Sequence, residues 1–369
     1  MGAEVLIEKG VLVVVLFAIT LGVAAYLTLM ERKVAAWMQN RIGPDRAGKW
    51  GLLQPLADGG KLFFKEDFIP TNADRVLFII GPGLSMGFAL MTSAVIPWGP
   101  NIVMFGKEIA LQVADINVGM LFVMALSSVA VYGIMIGGWA SNNKYSLFSA
   151  IRASSQMISY ELALGISIIT VVMLSGSLSL RDIVESQHGM NWNIWYQPLG
   201  FIIYFVCLLA ELNRAPFDMA ECESELITGH HTEYGAMKMG FYLFAEYTHM
   251  FIGAAIISLL FFGGYNFPGM DHFSGNTLAI LGTLVFFAKT AFFIFLIIWV
   301  RWTLPRFRYD QLMHLGWKKL IPLSIANLMI TAIVVAATSG WFSDDAANEK
   351  TTAKVENVVA SAPANKMNK

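Results

Sequence analysis

The sequence predicts an all-α polytopic membrane protein, with eight transmembrane helices and an amphipathic interfacial helix in the first inner loop. Three observations carry that prediction. Of the 369 residues, 56% are hydrophobic and only 14% charged, a composition that excludes an ordinary soluble domain. Apolar runs recur along the chain at the length that a ~30 Å hydrocarbon core demands. The cations are segregated: seventeen of the 25 Lys and Arg fall on the loops after the first, third, fifth and seventh spans, against seven on the opposite face and in the tails. By the positive-inside rule those loops face the cytoplasm, and both termini lie on the outer, periplasmic face.

Residues 11–30 form an uncharged run, followed at once by Glu31, Arg32 and Lys33. The absence of a basic segment before the run identifies a retained first span rather than a signal peptide. Residues 31–75 read as a polar connection, and the stretch LLQPLADGGKLFFKEDF within it alternates apolar and polar residues at helical spacing, the pattern of a helix lying in the interface plane. The second span covers 76–98, and the loop NIVMFGKEIALQVAD after it has the residue types of a short hairpin. The third span covers 117–139 and ends in the small-residue turn GGWASNNKYS. The fourth (153–178) carries Glu161, the fifth covers 194–212, the sixth (237–264) carries Glu246 and His249, the seventh (277–302) carries Lys289, and the eighth covers 320–342. Residues 1–343 therefore make the membrane domain, and residues 344–369, rich in Ala, Asn, Lys and Thr, read as a disordered tail.

Residues 211–246 interrupt this apolar pattern with seven carboxylates, Glu211, Asp218, Glu221, Glu223, Glu225, Glu233 and Glu246, opposed only by Arg214 and Lys238. Ion pairing cannot neutralise such a block, so its acids titrate as a coupled set. Read as one helix, Asp218, Glu221 and Glu225 share a face. A solvated loop is the plain alternative, but Pro216, Phe217, Met219, Cys222, Leu226 and Ile227 are interleaved with the acids, and a purely solvated loop has no use for them. A proton path or a charge-sensing site needs such a set.

Glu161, Glu246 and Lys289 lie inside spans, where an isolated charge costs at least a few kcal/mol. Depth along the spans places Lys289 and Glu246 within reach of each other, either as a structural ion pair or as part of a proton path. Two cysteines without CxxC spacing and a single His-His pair supply neither a cluster ligand set nor a di-iron site. The chain is therefore expected to hold no redox centre or metal of its own.

Four long motifs carry a resemblance: ERKVAAWMQNRIGPDRAGKWGLLQPLADGGKLFFKEDFIP, GGWASNNKYSLFSAIRASSQMISYE, ELNRAPFDMAECESELITGHHTEYGAMK and LPRFRYDQLMHLGWK, with AKTAFF between the last two. In this order on an eight-span profile, the chain resembles the quinone-site membrane subunit family of respiratory complex I, which comprises the H subunits of bacterial NADH:quinone oxidoreductase and NADH dehydrogenase subunit 1 of mitochondria. The resemblance implies a quinone chamber enclosed with two hydrophilic partner subunits, adjacent small membrane subunits and antiporter-like subunits that pump protons. Quinone, ubiquinone or menaquinone, would be the substrate. NADH, FMN and iron–sulfur clusters would belong to partners, in the bacterial inner membrane, and no nucleic acid is expected. Carried over motif by motif, Glu31, Arg32, Arg41, Asp58 and Lys61 would shape the chamber and its mouth. Glu211, Asp218, Glu221, Glu223 and Glu225 would form an acidic funnel that Glu161, Glu246 and Lys289 continue into the membrane, and Arg301, Arg306 and Arg308 would brace the last inner loop. The tail departs from the family pattern by running on some 25 residues past the last span. A related membrane subunit of an energy-converting hydrogenase shares the acidic loop, but the full GKWGLLQPLADGGKLFFKEDF loop favours a quinone-using member. The missing internal repeat argues against a stand-alone ion transporter.

Overall fold

The structure, a computed structural model, describes residues 3–104, 107–220 and 227–338. Glu221, Glu223 and Glu225 and the tail beyond 338 lie outside the described residues. The chain is a helical bundle whose long members are α1 (Ala3–Met38), α3 (Arg75–Ser93), α4 (Gly119–Ala140) and α5 (Lys144–Ser175), with α9 (Ala236–Phe261), α10 (Gly275–Thr303) and α12 (Ile321–Thr338) completing it. Shorter helices join them: α2 (Gln54–Phe64), α6 (Leu180–Glu185), α7 (Asn193–Tyr196), α8 (Pro198–Glu211) and α11 (Tyr309–Leu315), the last running through a π-helical turn, Gly316–Leu320, into α12. The hairpin expected between the second and third spans is present as β1 (Ile102–Met104) and β2 (Lys107–Ile109), paired antiparallel.

Among the described residues seven helices are long and apolar enough to cross a membrane, not the eight that the sequence suggests. The expected fifth crossing is divided. Gln197 leaves helical geometry at φ −131° and ψ 53°, and Pro198 starts α8 afresh, because proline suits a first helical position and not an interior one. What remains is a helix of 14 residues, about 21 Å long.

Three further boundaries differ from the sequence reading. α1 continues through Met38, so Glu31, Arg32 and Lys33 stand on its last turns and not in a loop. α5 begins at Lys144, capped by Asn143 Oδ1, which accepts from Tyr145 N at 3.0 Å. Its first turns are polar because they face protein: Ser146 Oγ donates to His230 O at 2.6 Å, Ser149 Oγ to Ala220 O, and Gln156 Nε2 to Ala210 O and Phe217 O at 2.7 Å each. The acidic stretch, finally, is not one helix. α8 ends at Glu211, Asn213 takes a left-handed φ of 49°, and turns follow through residue 220, where Pro216 also lacks the N–H that a helix would need.

α9 is the central element, buried on nearly every side from Met250 to Phe261, as a helix apolar all round must be. Its last carbonyls find side-chain donors: Gln187 Nε2 reaches Leu259 O and Asn193 Nδ2 reaches Leu260 O, both at 2.8 Å. α3 and α4 approach closely at Gly133, where a Cβ would strike Ser85, the small-residue contact on which membrane helices rely. Tyr242 of α9 closes that corner by donating to Gly133 O at 3.0 Å.

Candidate functional site

A cavity of about 400 Å³ opens between α1, α2 and α9. Ala25 and Thr28 supply its α1 wall, Pro55 and Leu62 its α2 wall, and Met239, Leu243 and Phe244 its α9 wall, while Arg32, Asp58, Lys61 and Lys65 give it a charged rim. Apolar walls with a few polar groups at this volume suit a small amphipathic ligand. α2 holds its place through Asp58, which accepts from Arg32 Nη1 at 2.7 Å and from Gln54 Nε2 at 3.1 Å.

Tyr247, at the inner wall, leads from the cavity to a buried charge network. Its hydroxyl donates to Glu31 Oε2 at 2.8 Å, and Arg301 of α10 donates to Glu31 Oε1. Arg214 lies 3.7 Å from Glu31 Oε2 and 3.1 Å from Glu246 Oε2, with its guanidinium 4.7 Å from the Tyr247 ring centroid. Glu31 is 6% exposed and Arg214 5%, so each charge depends on its partners. The network draws on α1, α9, α10 and the turn after α8.

Beyond Glu246 lie two small cavities. The first, about 40 Å³, is lined by Glu211, Glu246, His230 and His249 among others. The second, about 30 Å³, has Glu211, His249 and Ser127 in its wall. Each has room for at least one water. Glu211 accepts from Ser127 and is near enough to Glu161 for the two carboxylates to interact, and Ser128 donates to Glu161 in turn. A chain of polar groups therefore runs from the large cavity through Glu31, Arg214, Glu246 and Glu211 to Glu161.

The other sequence-predicted residues lie elsewhere. Arg41 is exposed past the end of α1, donating to Gln39 Oε1 at 2.7 Å. Asp218 is half-buried in the turns after α8. Arg306 is half-buried, and the exposed Arg308 pairs with Asp310 at 2.6 Å beside the start of α11. Lys289 does not meet Glu246. Its ammonium donates to the carbonyls of Phe262, Gly264 and Asn266 at 2.7, 2.9 and 2.6 Å and lies 4.8 Å from the Trp192 ring centroid. Phe262 follows Glu246 by sixteen residues, a rise of about 24 Å along α9. Three contributors were not singled out by the sequence as site residues: Arg214, Tyr247 and His249. The spacing of Glu246 and His249, one turn apart on α9, is the signal that could have found the last.

Beside this chain of groups His230 and His231 sit in a tight 3₁₀ turn, 1% and 9% exposed, their ring centroids 4.9 Å apart. Burial pushes His230 down to about 3, helped by the neighbouring His231, and pushes His231 down to about 4. Both are neutral at pH 7.

Comparison with known proteins gives the family. A family model described as NADH dehydrogenase matches residues 11–332, a range that holds every residue of the network. The chain is similar to the H subunit of NADH-quinone oxidoreductase from Flavobacterium johnsoniae, 60% identical over 339 residues that cover 91% of this chain and 97% of that one. The corresponding H subunit from Flavobacterium psychrophilum is 59% identical over 337 residues, 90% of this chain and 98% of its own. That of Thermomicrobium roseum is 49% identical over 329 residues, covering 87% and 94%. With a match across most of its length and relatives this similar, the chain belongs to the NADH dehydrogenase family.

Proposed function

We propose that this chain is the quinone-site membrane subunit of a bacterial proton-translocating NADH:quinone oxidoreductase. The observation that carries the reading is the join between the apolar cavity at α1, α2 and α9 and the buried charges behind Tyr247. An isoprenoid quinone has an apolar tail and a polar headgroup, and the cavity pairs apolar walls with a charged rim in the same way. Quinone takes up two electrons from iron–sulfur clusters of partner subunits, with NADH and FMN further upstream in those partners, and two protons must follow or negative charge remains. Glu31, Arg214 and Glu246 stand where that charge is felt, and Glu211 and Glu161 carry the change onward to antiporter-like subunits. Glu221, Glu223, Glu225 and Asp218 complete the acidic set on the inner side.

In this reading α2 lies in the membrane interface, with Leu56, Phe63 and Phe64 exposed toward lipid. α8 serves as a short fifth crossing of eight, and both termini stay on the periplasmic face. Lys289 acts as a fixed cation at the end of α9. Arg41 and Arg308, both exposed, meet the two hydrophilic partner subunits.

The deciding experiment isolates the assembly in mild detergent from cells carrying Glu246→Gln or Leu243→Trp. The first substitution should lower coupled quinone reduction, and the second, which fills the cavity, should raise the quinone KM. Full activity and an unchanged KM in both would reject the reading.

A further inference from the structure

The two small cavities share a wall made of Glu211, Leu212 and His249. The first cavity also touches Glu246 and His230, the second Ser127. Leu212 cannot carry a proton. Glu211 accepts from Ser127 on the second side and, with Glu161, is the pair that the path delivers to. His249 differs in kind. An imidazole has a nitrogen on each of two edges, and can accept a proton at one while releasing one from the other without changing rotamer. It stands one turn from Glu246 on the same face of α9, and its side chain is only half-buried although it lies inside the bundle, because it borders both cavities.

We infer that His249 relays protons between the two cavities, coupling Glu246 to the Glu211–Glu161 pair. The inference rests on the proton-coupling reading above and adds a residue to it. A proton released by Glu246 crosses a water in the first cavity to one ring nitrogen. The proton on the other nitrogen leaves through a water in the second cavity for Glu211, which leaves the ring neutral in its other tautomer, and the same two transfers run in reverse return the proton and the starting tautomer. Only O–H and N–H bonds form and break, and no electron moves. The titratable and charged groups facing this route are Glu246 and Tyr242 on α9, Glu211 and Tyr204 on α8, His230 in the turn before α9, Arg214 against Glu246, and Glu161 on α5, which acts through Glu211. His230 is the less suited relay, since it borders the first cavity alone.

The test uses the intact complex in native membranes with His249→Gln, His249→Leu and Glu211→Gln. Assembly is read by NADH oxidation with ferricyanide, which bypasses the membrane subunit. Quinone reduction, proton translocation per NADH and the pH profile between 6 and 8 are read alongside. His249→Gln, which keeps hydrogen-bonding capacity without a two-edged ring, should assemble and lose translocation at least fivefold with a displaced pH profile. His249→Leu should lose as much or more. A wild-type ratio and profile in His249→Gln, with Glu211→Gln impaired, overturns the relay and leaves the path standing. Wild-type behaviour in Glu211→Gln as well overturns both. Failure of both His249 variants to assemble assigns the ring to packing and also overturns the relay.

Discussion

Arg301 in the last turn of α10 donates to Glu31 near the end of α1, a contact across 270 residues of sequence. It closes the charge network on the side opposite Arg214 and fixes how far α1 and α10 stand apart. Glu31 thus has two cations and a tyrosine hydroxyl around it, which gives a carboxylate 6% exposed the partners that burial requires.

Glu31→Ala therefore removes the common acceptor of Arg301 and Tyr247. Breaking a buried pair from one side costs about 3–5 kcal/mol, so the purified complex should melt earlier and quinone reduction should fall below roughly a tenth, a drop that ~1.4 kcal/mol in the barrier already produces. Thermal unfolding and steady-state rates check both. A variant with normal rate and stability would show that the network serves neither packing nor chemistry.

The rim pair behaves differently. Arg32 and Asp58 are 51% and 32% exposed in their side chains, and such pairs contribute about 0–1 kcal/mol. Arg32→Gln should leave thermal stability within that range. The expected outcome is a quinone KM raised several-fold with kcat little altered, because the lost contact lies at the mouth and not beside the acids. A kcat loss without a KM change would place Arg32 in the chemistry instead.

Much of this was legible in advance, and the exceptions have physical causes. The helix α2 showed in the spacing of Leu56, Lys61 and Phe63, and Glu161, Glu246 and Lys289 showed because charge inside an apolar run has no neutral explanation. Partners did not show. Nothing in the sequence joins Arg301 to Glu31, and the three carbonyls that hold Lys289 carry no side-chain signature at all, so Glu246 was the natural partner to expect. The start of α5 was hidden for a related reason. Ser146 and Ser149 read as loop because hydropathy cannot tell a polar face that meets water from one that meets the backbone of a neighbouring segment.

Lys289 gives the next prediction. Its ammonium uses all three donors on the carbonyls of Phe262, Gly264 and Asn266, so losing a proton would leave one of them without its bond. Lys289→Met should then lower thermal stability by about 3 kcal/mol or more, given ~1.5–3 kcal/mol for each charged hydrogen bond. Protons translocated per NADH should stay the same in whatever complex assembles. A stable variant with a reduced ratio would return Lys289 to the proton path.

The histidine pair predicts how the inner turn responds to acid. His230 and His231 are held neutral, with values near 3 and 4 in the folded chain against about 6.5 when unfolded. The unfolded turn therefore binds more protons than the folded one between those limits. Stability is complete above about pH 6.5 and falls as the pH drops toward 4, by about 2 kcal/mol per histidine at pH 5. Hydrogen exchange should report it: the amides of Tyr234 and Thr232, bonded to His231 O and Gly229 O, should exchange much faster at pH 5 than at pH 7 once the intrinsic rate is corrected. Replacing both rings by Gln should flatten that dependence, because no histidine then remains in the turn. If the double variant keeps the acid sensitivity, the cause lies outside the buried imidazoles.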